Sequence, residues 1–354
     1  MNLEFSNKKI SGILSVVPSH TVKFLDEIDN YGFSREKCLN LQEVMGFKER
    51  RIVEGNECGS DLALFGLEYL IAHEKLKKDE IGALILITQT PDHFMPPTSS
   101  ILHGKFGLGE EVLCFDINQG CTGYLYGLLQ SFMLLESSLK GKVVLLNCDT
   151  LSRRACPQDR NIYPVIGDAG TITIVENTDD KNEISLNIKT DGTRSHWLII
   201  PAGGFRMPSS EKTREVKTLP DGNRRSDDDF YMNGAGIFTF TMTDVPAEMK
   251  EFFQSTSMKM EEIDYFMFHQ PNRFMLNKLA KKAQIPEEKM PSNVVEKFGN
   301  SSSASIPVAI CHNISQIILK KKLNICMVGF GVGLSWGTLT MSVGPLDFCE
   351  LIEK

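Results

Sequence analysis

Asp116-Ile-Asn-Gln-Gly-Cys121-Thr-Gly-Tyr124 joins two segments of different hydrophobic period, and its reading decides the fold. Upstream, residues 112–117 form a short apolar run of strand length. Downstream, within 124–139, Leu125, Leu128, Leu129, Phe132 and Leu135 recur at helical spacing. Cys121 therefore stands where a strand ends and a helix begins. A helix N-terminus offers unpaired N–H groups and the positive end of its dipole, which favour thiolate over thiol. Gly120 and Gly123 leave little bulk beside the sulfur, so a substrate carbonyl has room to approach. Cys121 reads as a nucleophile on this pattern. A small buried packing residue is the plainer alternative, common for cysteines at strand ends.

The same grammar extends along the chain. Residues 10–17, 81–88, 142–147 and 171–175 read as strands, the second a continuous apolar run suited to burial on both faces. Helical periodicity marks 61–77, with Ser60 or Asp61 as N-cap, and 99–106. Prolines make 91–97 a loop. Residues 177–189 are polar and read as a join, which divides the chain into halves at 1–180 and 181–354. The polar stretch 203–229 reads as a surface insertion that packs little, followed by helical pieces at 237–243 and 249–253. Residues 264–268 form a strand ending at His269, with a helix through Ala283, and 324–328 a strand ending in Gly329-Phe-Gly-Val-Gly333. A closing strand covers 335–343. Strand, reactive residue and helix thus occur once per half, which suggests duplication.

Composition narrows the class. With 354 residues, 42% hydrophobic and 23% charged, the chain has ample core for about two domains. A net charge of −7 without a long basic block argues against nucleic-acid binding. Nine cysteines form no C-x-x-C pair and several sit in apolar runs, which fits reduced thiols in a cytoplasmic protein. The seven histidines show no metal-ligand spacing, so no metal is expected. Neither a signal-peptide layout nor an apolar span of bilayer length is present, and no membrane association is expected.

Three potentially reactive side chains fall at element ends: Cys121, His269 in His-Gln-Pro-Asn272, and Asn300 in Gly299-Asn-Ser-Ser-Ser-Ala-Ser-Ile306. Ligand sites in α/β sheets gather at the carboxyl ends of strands. Taken singly, His269 would read as a hydrogen-bonded core residue and Gly299-Asn300 as a turn with an N-cap. Gly329-Phe-Gly-Val-Gly333 lacks the G-x-G-x-x-G order of a dinucleotide loop.

Together, in the order Cys, His, Asn and Gly-rich loop, these motifs resemble the β-ketoacyl-acyl-carrier-protein synthase III family of the thiolase superfamily, from about Ile10 to Val343. Pro271 stands where that family's histidine motif usually has a small residue. The resemblance implies an α/β, thiolase-like fold of two duplicated αβαβα halves in five layers, and a homodimer. It implies that Cys121 attacks an acyl thioester, with the backbone N–H groups of Cys121 and Val332 as oxyanion hole. His269 and Asn300 would then hold the thioester carbonyl of malonyl-acyl-carrier protein as its carboxylate is lost. No cofactor is implied beyond coenzyme A or carrier-protein thioesters as substrates.

The same resemblance places Arg160 at the coenzyme A nucleotide, Gly331 and Gly333 along the substrate, and Met95 across a dimer in the partner's acyl pocket. Arg273, Lys278, Lys281 and Lys282 would meet an acidic carrier protein. A solvated surface is the plainer reading of these five basic residues. Primer-condensing members sandwich adenine between a Trp and an Arg; Asn40 and Val44 stand at those positions here, which puts an acetyl-coenzyme A donor in doubt. Condensation leads the functional readings. Transfer of the acyl group to an amine, hydroxyl or thiol, and a non-catalytic binding subunit, are the alternatives.

Overall fold

The computed structural model describes residues 2–354. Two sheets carry the fold. The first runs Phe348–Glu353, Lys8–Val17, Ala169–Asn177, Lys142–Asp149, Ile81–Ile87, Leu113–Ile117 in spatial order. The second runs Leu3–Phe5, Ile184–Thr190, Ser335–Val343, Leu323–Gly331, Tyr265–Phe268. The chain ends are exchanged: the first strand pairs in the second sheet and the last strand in the first.

Period-two alternation gives each sheet two apolar faces, and helices cover them all. On the outer face of the first sheet, Leu14, Val16, Leu84, Leu86, Val144 and Leu146 pack against the helices Gly59–Ala72 and Thr98–Phe106. On its inner face, Ile13, Ile85, Val143 and Leu145 meet the helices Gly123–Glu136 and Ser305–Ile318. The second sheet closes over those helices with Ile325, Met327, Leu339 and Met341. Its other face, through Phe266, Phe268, Cys326 and Val328, receives Gly234–Ser255 and Arg273–Ala283. The five layers are therefore α, β, α, β, α, as expected. The two central helices are buried because Leu125, Leu128, Phe132, Ile306 and Ile310 have sheet on both sides.

Several elements differ from the sequence reading. The helix expected over 61–77 is Gly59–Ala72, capped from Cys58, and it stops short because Glu74 takes a left-handed φ of 56°. The polar join 177–189 gives way at Ile184 to an interior strand, Ile184–Thr190, in which Ser185, Asn187 and Lys189 alternate with apolar residues and hid its period. The helical pieces at 237–243 and 249–253 are one helix, Gly234–Ser255, which carries Pro246 within it. The insertion at 203–229 packs more than expected: Asn223 is buried and its Nδ2 donates to Asp159 Oδ1 at 2.8 Å. Among the described residues, no helix is long and apolar enough to cross a membrane.

Candidate active site

The central helix Gly123–Glu136 follows a tight turn in which the Gly123 N–H donates to the Gly120 carbonyl at 2.6 Å. That turn sets Cys121 at the end of Leu113–Ile117, facing the Gly-rich end of Leu323–Gly331. Gly331 makes the approach possible: a Cβ there would lie 2.6 Å from Cys121 Sγ, well inside contact distance. Thr122 ties the two segments together, its hydroxyl donating to the Ser335 carbonyl at 3.0 Å. Ser335 in turn donates to the Val332 carbonyl at 2.9 Å. Val332 is thus held beside the sulfur, and the N–H groups of Val332 and Cys121 both favour its thiolate. Burial outweighs them and pushes the thiol up to about 11.

His269 follows the strand Tyr265–Phe268 and is pinned by its N–H on the Val328 carbonyl at 2.8 Å. Its Nδ1 lies 2.8 Å from Ser305 Oγ, which occupies that nitrogen within the protein and leaves Nε2 to meet a substrate. The ring's edge meets Phe330 at 5.5 Å between centroids. Burial drives its pKa down to about 3, so the imidazole is neutral at physiological pH.

Asn300 is reached from the other half of the chain. Its N–H donates to the Val165 carbonyl at 2.7 Å, and its own carbonyl accepts from Gly167 N–H at 3.1 Å. Gly167 permits that crossing, since a Cβ there would lie 1.9 Å from the Phe298 carbonyl oxygen. The Asn300 Oδ1 accepts from the Ser302 N–H at 2.9 Å. This fixes the amide's orientation and leaves its NH₂ group as a donor.

Cys121, His269 and Asn300 line one cavity of about 590 Å³. Its walls are mainly apolar, with Phe47, Ile162, Leu198, Phe230 and Phe238 among them, as suits an acyl chain. Gly331, Val332 and Arg160 line it as well. Met95 and Gly333 do not; Met95 lies out at the surface, 78% exposed. The four basic residues lie on the helix Arg273–Ala283. Lys278, Lys281 and Lys282 are exposed, whereas Arg273 is engaged by the Glu296 carboxylate and the Glu43 carbonyl. Among the described residues, no cluster of His, Cys, Asp or Glu could hold a metal ion.

Asn40 and Val44 are exposed on the helix Arg35–Met45 and take no part in the cavity wall. The aromatic face at the mouth comes instead from Phe33, just ahead of that helix, with the Arg160 guanidinium 4.7 Å from its ring centre. Arg160 also donates to the Asp221 carbonyl in the insertion. Phe33 escaped the sequence reading because it lies seven positions before the residue aligned as its equivalent, Asn40. Ser302, Ser305 and Asp149 were missed too. The serines passed as part of a turn, and Asp149 lay two residues beyond the strand read at 142–147, which in the structure runs on to Asp149.

Residues 115–192 match the 3-oxoacyl-[acyl-carrier-protein (ACP)] synthase III family, and residues 253–343 match its C-terminal family. A putative 3-oxoacyl-[acyl-carrier-protein] synthase 3 of Campylobacter jejuni is 32% identical over 100% of this chain and 98% of its own. A β-ketoacyl-[acyl-carrier-protein] synthase III of Streptococcus gordonii is 30% identical, over 95% and 99%. Among solved structures, a 3-oxoacyl-(acyl-carrier protein) synthase from Burkholderia xenovorans LB400 superposes with a TM-score of 0.92 at 32% identity, covering 100% and 99% of the two chains.

Proposed function

The chain belongs to the 3-oxoacyl-[acyl-carrier-protein] synthase III family, and we propose that it condenses a Cys121-bound acyl group with malonyl-acyl-carrier protein. It is an acyltransferase of the condensing type. The observation that carries the assignment of roles is the convergence of Cys121, His269 and Asn300 on one apolar cavity. Transfer to a simple amine, hydroxyl or thiol needs the cysteine but leaves Asn300, oriented with its NH₂ group free, without a task.

The geometry supports two half-reactions. In the first, the Cys121 sulfur attacks the donor's thioester carbon. The negative charge gathering on the carbonyl oxygen is met by the Cys121 and Val332 N–H groups, and the donor's thiol leaves. In the second, the malonyl thioester carbonyl lies between Asn300 Nδ2 and His269 Nε2. As the C–C bond to the carboxylate breaks and carbon dioxide departs, the electron pair moves onto that carbonyl as an enolate. Its α-carbon then attacks the acyl-Cys121 carbon, forming the new C–C bond and returning the thiolate. The Ser305 hydroxyl donates to the Ser302 carbonyl at 2.8 Å in the resting molecule; His269 serves as a donor once that hydroxyl turns to Nδ1, which places the ring hydrogen on Nε2. A neutral His fits this step, because its single N–H is not acidic near neutral pH and stays in place as a donor to the enolate oxygen.

Arg160 and Phe33 at the mouth suit the nucleotide of a coenzyme A donor, and the exposed lysines of Arg273–Ala283 suit an acidic carrier. Arg273 is engaged by Glu296 in the resting molecule and would have to exchange that partner on docking. Residues 1–180 and 181–354 form the two duplicated units, with their terminal strands exchanged, in a cytoplasmic homodimer. Asn300→Ala separates the two half-reactions. Cys121 should still be acylated, while release of carbon dioxide falls about 10²- to 10³-fold, the cost of one lost oxyanion donor. Undiminished condensation in that variant would count against the role given to Asn300.

A further inference from the structure

The condensation chemistry leaves one question open: what accepts the Cys121 proton. The thiol is pushed up to about 11 by burial, and His269, held down to about 3, is a feeble acceptor. A second acid lies nearby. Asp149 ends the strand Lys142–Asp149 and is fully buried. Its Oδ1 accepts from the Gln89 N–H at 2.7 Å and from the Thr88 and Thr90 hydroxyls at 3.3 Å each. Its Oδ2 is buried with no hydrogen-bond partner. Ser302 Oγ is likewise buried without one in the resting molecule; Ser302 lines the cavity together with Cys121, its turn Ser302–Ala304 packs against the strand that ends in Asp149, and it favours the ionised form of both groups.

Ser302 is also held in an unusual shape. Its φ is 54°, a left-handed backbone that non-glycine residues seldom take. Two bonds hold it there: its N–H donates to Asn300 Oδ1 at 2.9 Å, and its carbonyl accepts from the Ser305 hydroxyl at 2.8 Å. A carboxylate that only stapled the 88–90 turn would need Oδ1 alone, and would leave both Oδ2 and the Ser302 hydroxyl unexplained.

We infer that the Ser302 hydroxyl relays the Cys121 proton to Asp149 Oδ2 during acylation, Asp149 acting on the sulfur only through Ser302. The Cys121 S–H bond breaks as its proton passes to Ser302 Oγ, and the hydrogen of that hydroxyl passes to Asp149 Oδ2. The thiolate electron pair forms the new S–C bond, and collapse of the tetrahedral adduct breaks the donor's C–S bond. The departing thiolate recovers a proton by the reverse path, so no co-reactant is required. Burial raises the Asp149 carboxyl to about 7, close to the value a general base needs at neutral pH. The titratable groups around it are the Cys121 and Cys148 thiols, which feel its charge, with Asp92 beyond Cys148 and His269 beside Ser302.

The inference rests on the reading of Cys121 as nucleophile, and one experiment separates the two. Single-turnover acylation is followed by intact mass from pH 5 to 10 in wild type, Asp149→Asn, Ser302→Ala and the double variant. The donor is an acyl-coenzyme A or acyl-carrier protein that labels the wild type, and thermal melts confirm folding. Wild-type rates should rise with a midpoint near neutrality. Each single variant should be about 10²-fold slower with that midpoint gone, and the double variant no slower than either. Asp149→Asn keeps the Oδ1 acceptor and decides alone if Ser302→Ala does not fold. Folded variants with the wild-type rate and midpoint would overturn the relay and leave the nucleophile standing. A wild type that no donor labels would overturn both.

Discussion

Glu248 illustrates how far a single buried group can shape the molecule's response to pH. It lies on Gly234–Ser255, 1% exposed, with Oε2 accepting from the Thr338 hydroxyl at 2.6 Å and Oε1 without a partner. Burial raises its pKa from 4.5 to about 7. The unfolded chain releases that proton near 4.5, whereas the folded one keeps it until about 7. Stability is therefore lost as pH rises through that window, where the folded state binds more protons. Asp149 acts with the same sign, while His269, lowered to about 3, acts oppositely and favours the fold above about 6.5. Glu248→Gln should flatten the decline of Tm between pH 5 and 8, measured by calorimetry. An unchanged slope would contradict a buried, protonated Glu248. Residues of this kind were not legible in the sequence, because a Glu within a helix ordinarily faces water and nothing local marks the exception. Cys121, His269 and Asn300 were legible because each ends an element beside glycine, proline or serine, where a side chain is displayed rather than packed.

At the scale of the element, strands and central helices were the most readable parts, since burial on two faces leaves long apolar runs such as Ile81–Ile87. Ile184–Thr190 was hidden by its polar positions, and Arg35–Met45 by its charged composition. That second helix matters to function. Ser34 caps it by accepting from the Lys37 N–H at 3.2 Å, and Phe33, just before the cap, is delivered to the cavity mouth. The Arg160 guanidinium then rests 4.7 Å from the Phe33 ring centre, held from behind by the insertion through the Asp221 carbonyl. A cation beside an aromatic face is an apt seat for a nucleotide base. Phe33→Ala should raise KM for acyl-coenzyme A roughly fivefold, as about 1 kcal/mol of stacking implies, with kcat little changed. Equal KM values in variant and wild type would show that the donor's nucleotide does not sit there.

Across the whole molecule, the site exists only because the two halves interlock. Asn300 is bonded to Val165 and Gly167 of the first half, and Cys121 faces Gly331 of the second. Duplication was legible as repeated grammar; the exchange of terminal strands was not, because pairing between distant strands leaves no local mark. Phe94, Met95 and Phe205 are 74%, 78% and 87% exposed, with the Phe94 and Phe205 rings 5.5 Å apart. An apolar cluster of this size on a single subunit is suited to a second copy. Light scattering should find a dimer, and Phe94→Asp with Met95→Asp should shift it to monomer; a monomeric wild type would contradict the proposed assembly. The most direct test of the whole account is an intact-mass chase on Cys121. Wild type, but not Cys121→Ser, should gain one acyl group from an acyl thioester and lose it on addition of malonyl-acyl-carrier protein, as a 3-oxoacyl product and carbon dioxide appear. An adduct that malonyl-acyl-carrier protein cannot discharge, or one that forms equally on Cys121→Ser, would contradict it.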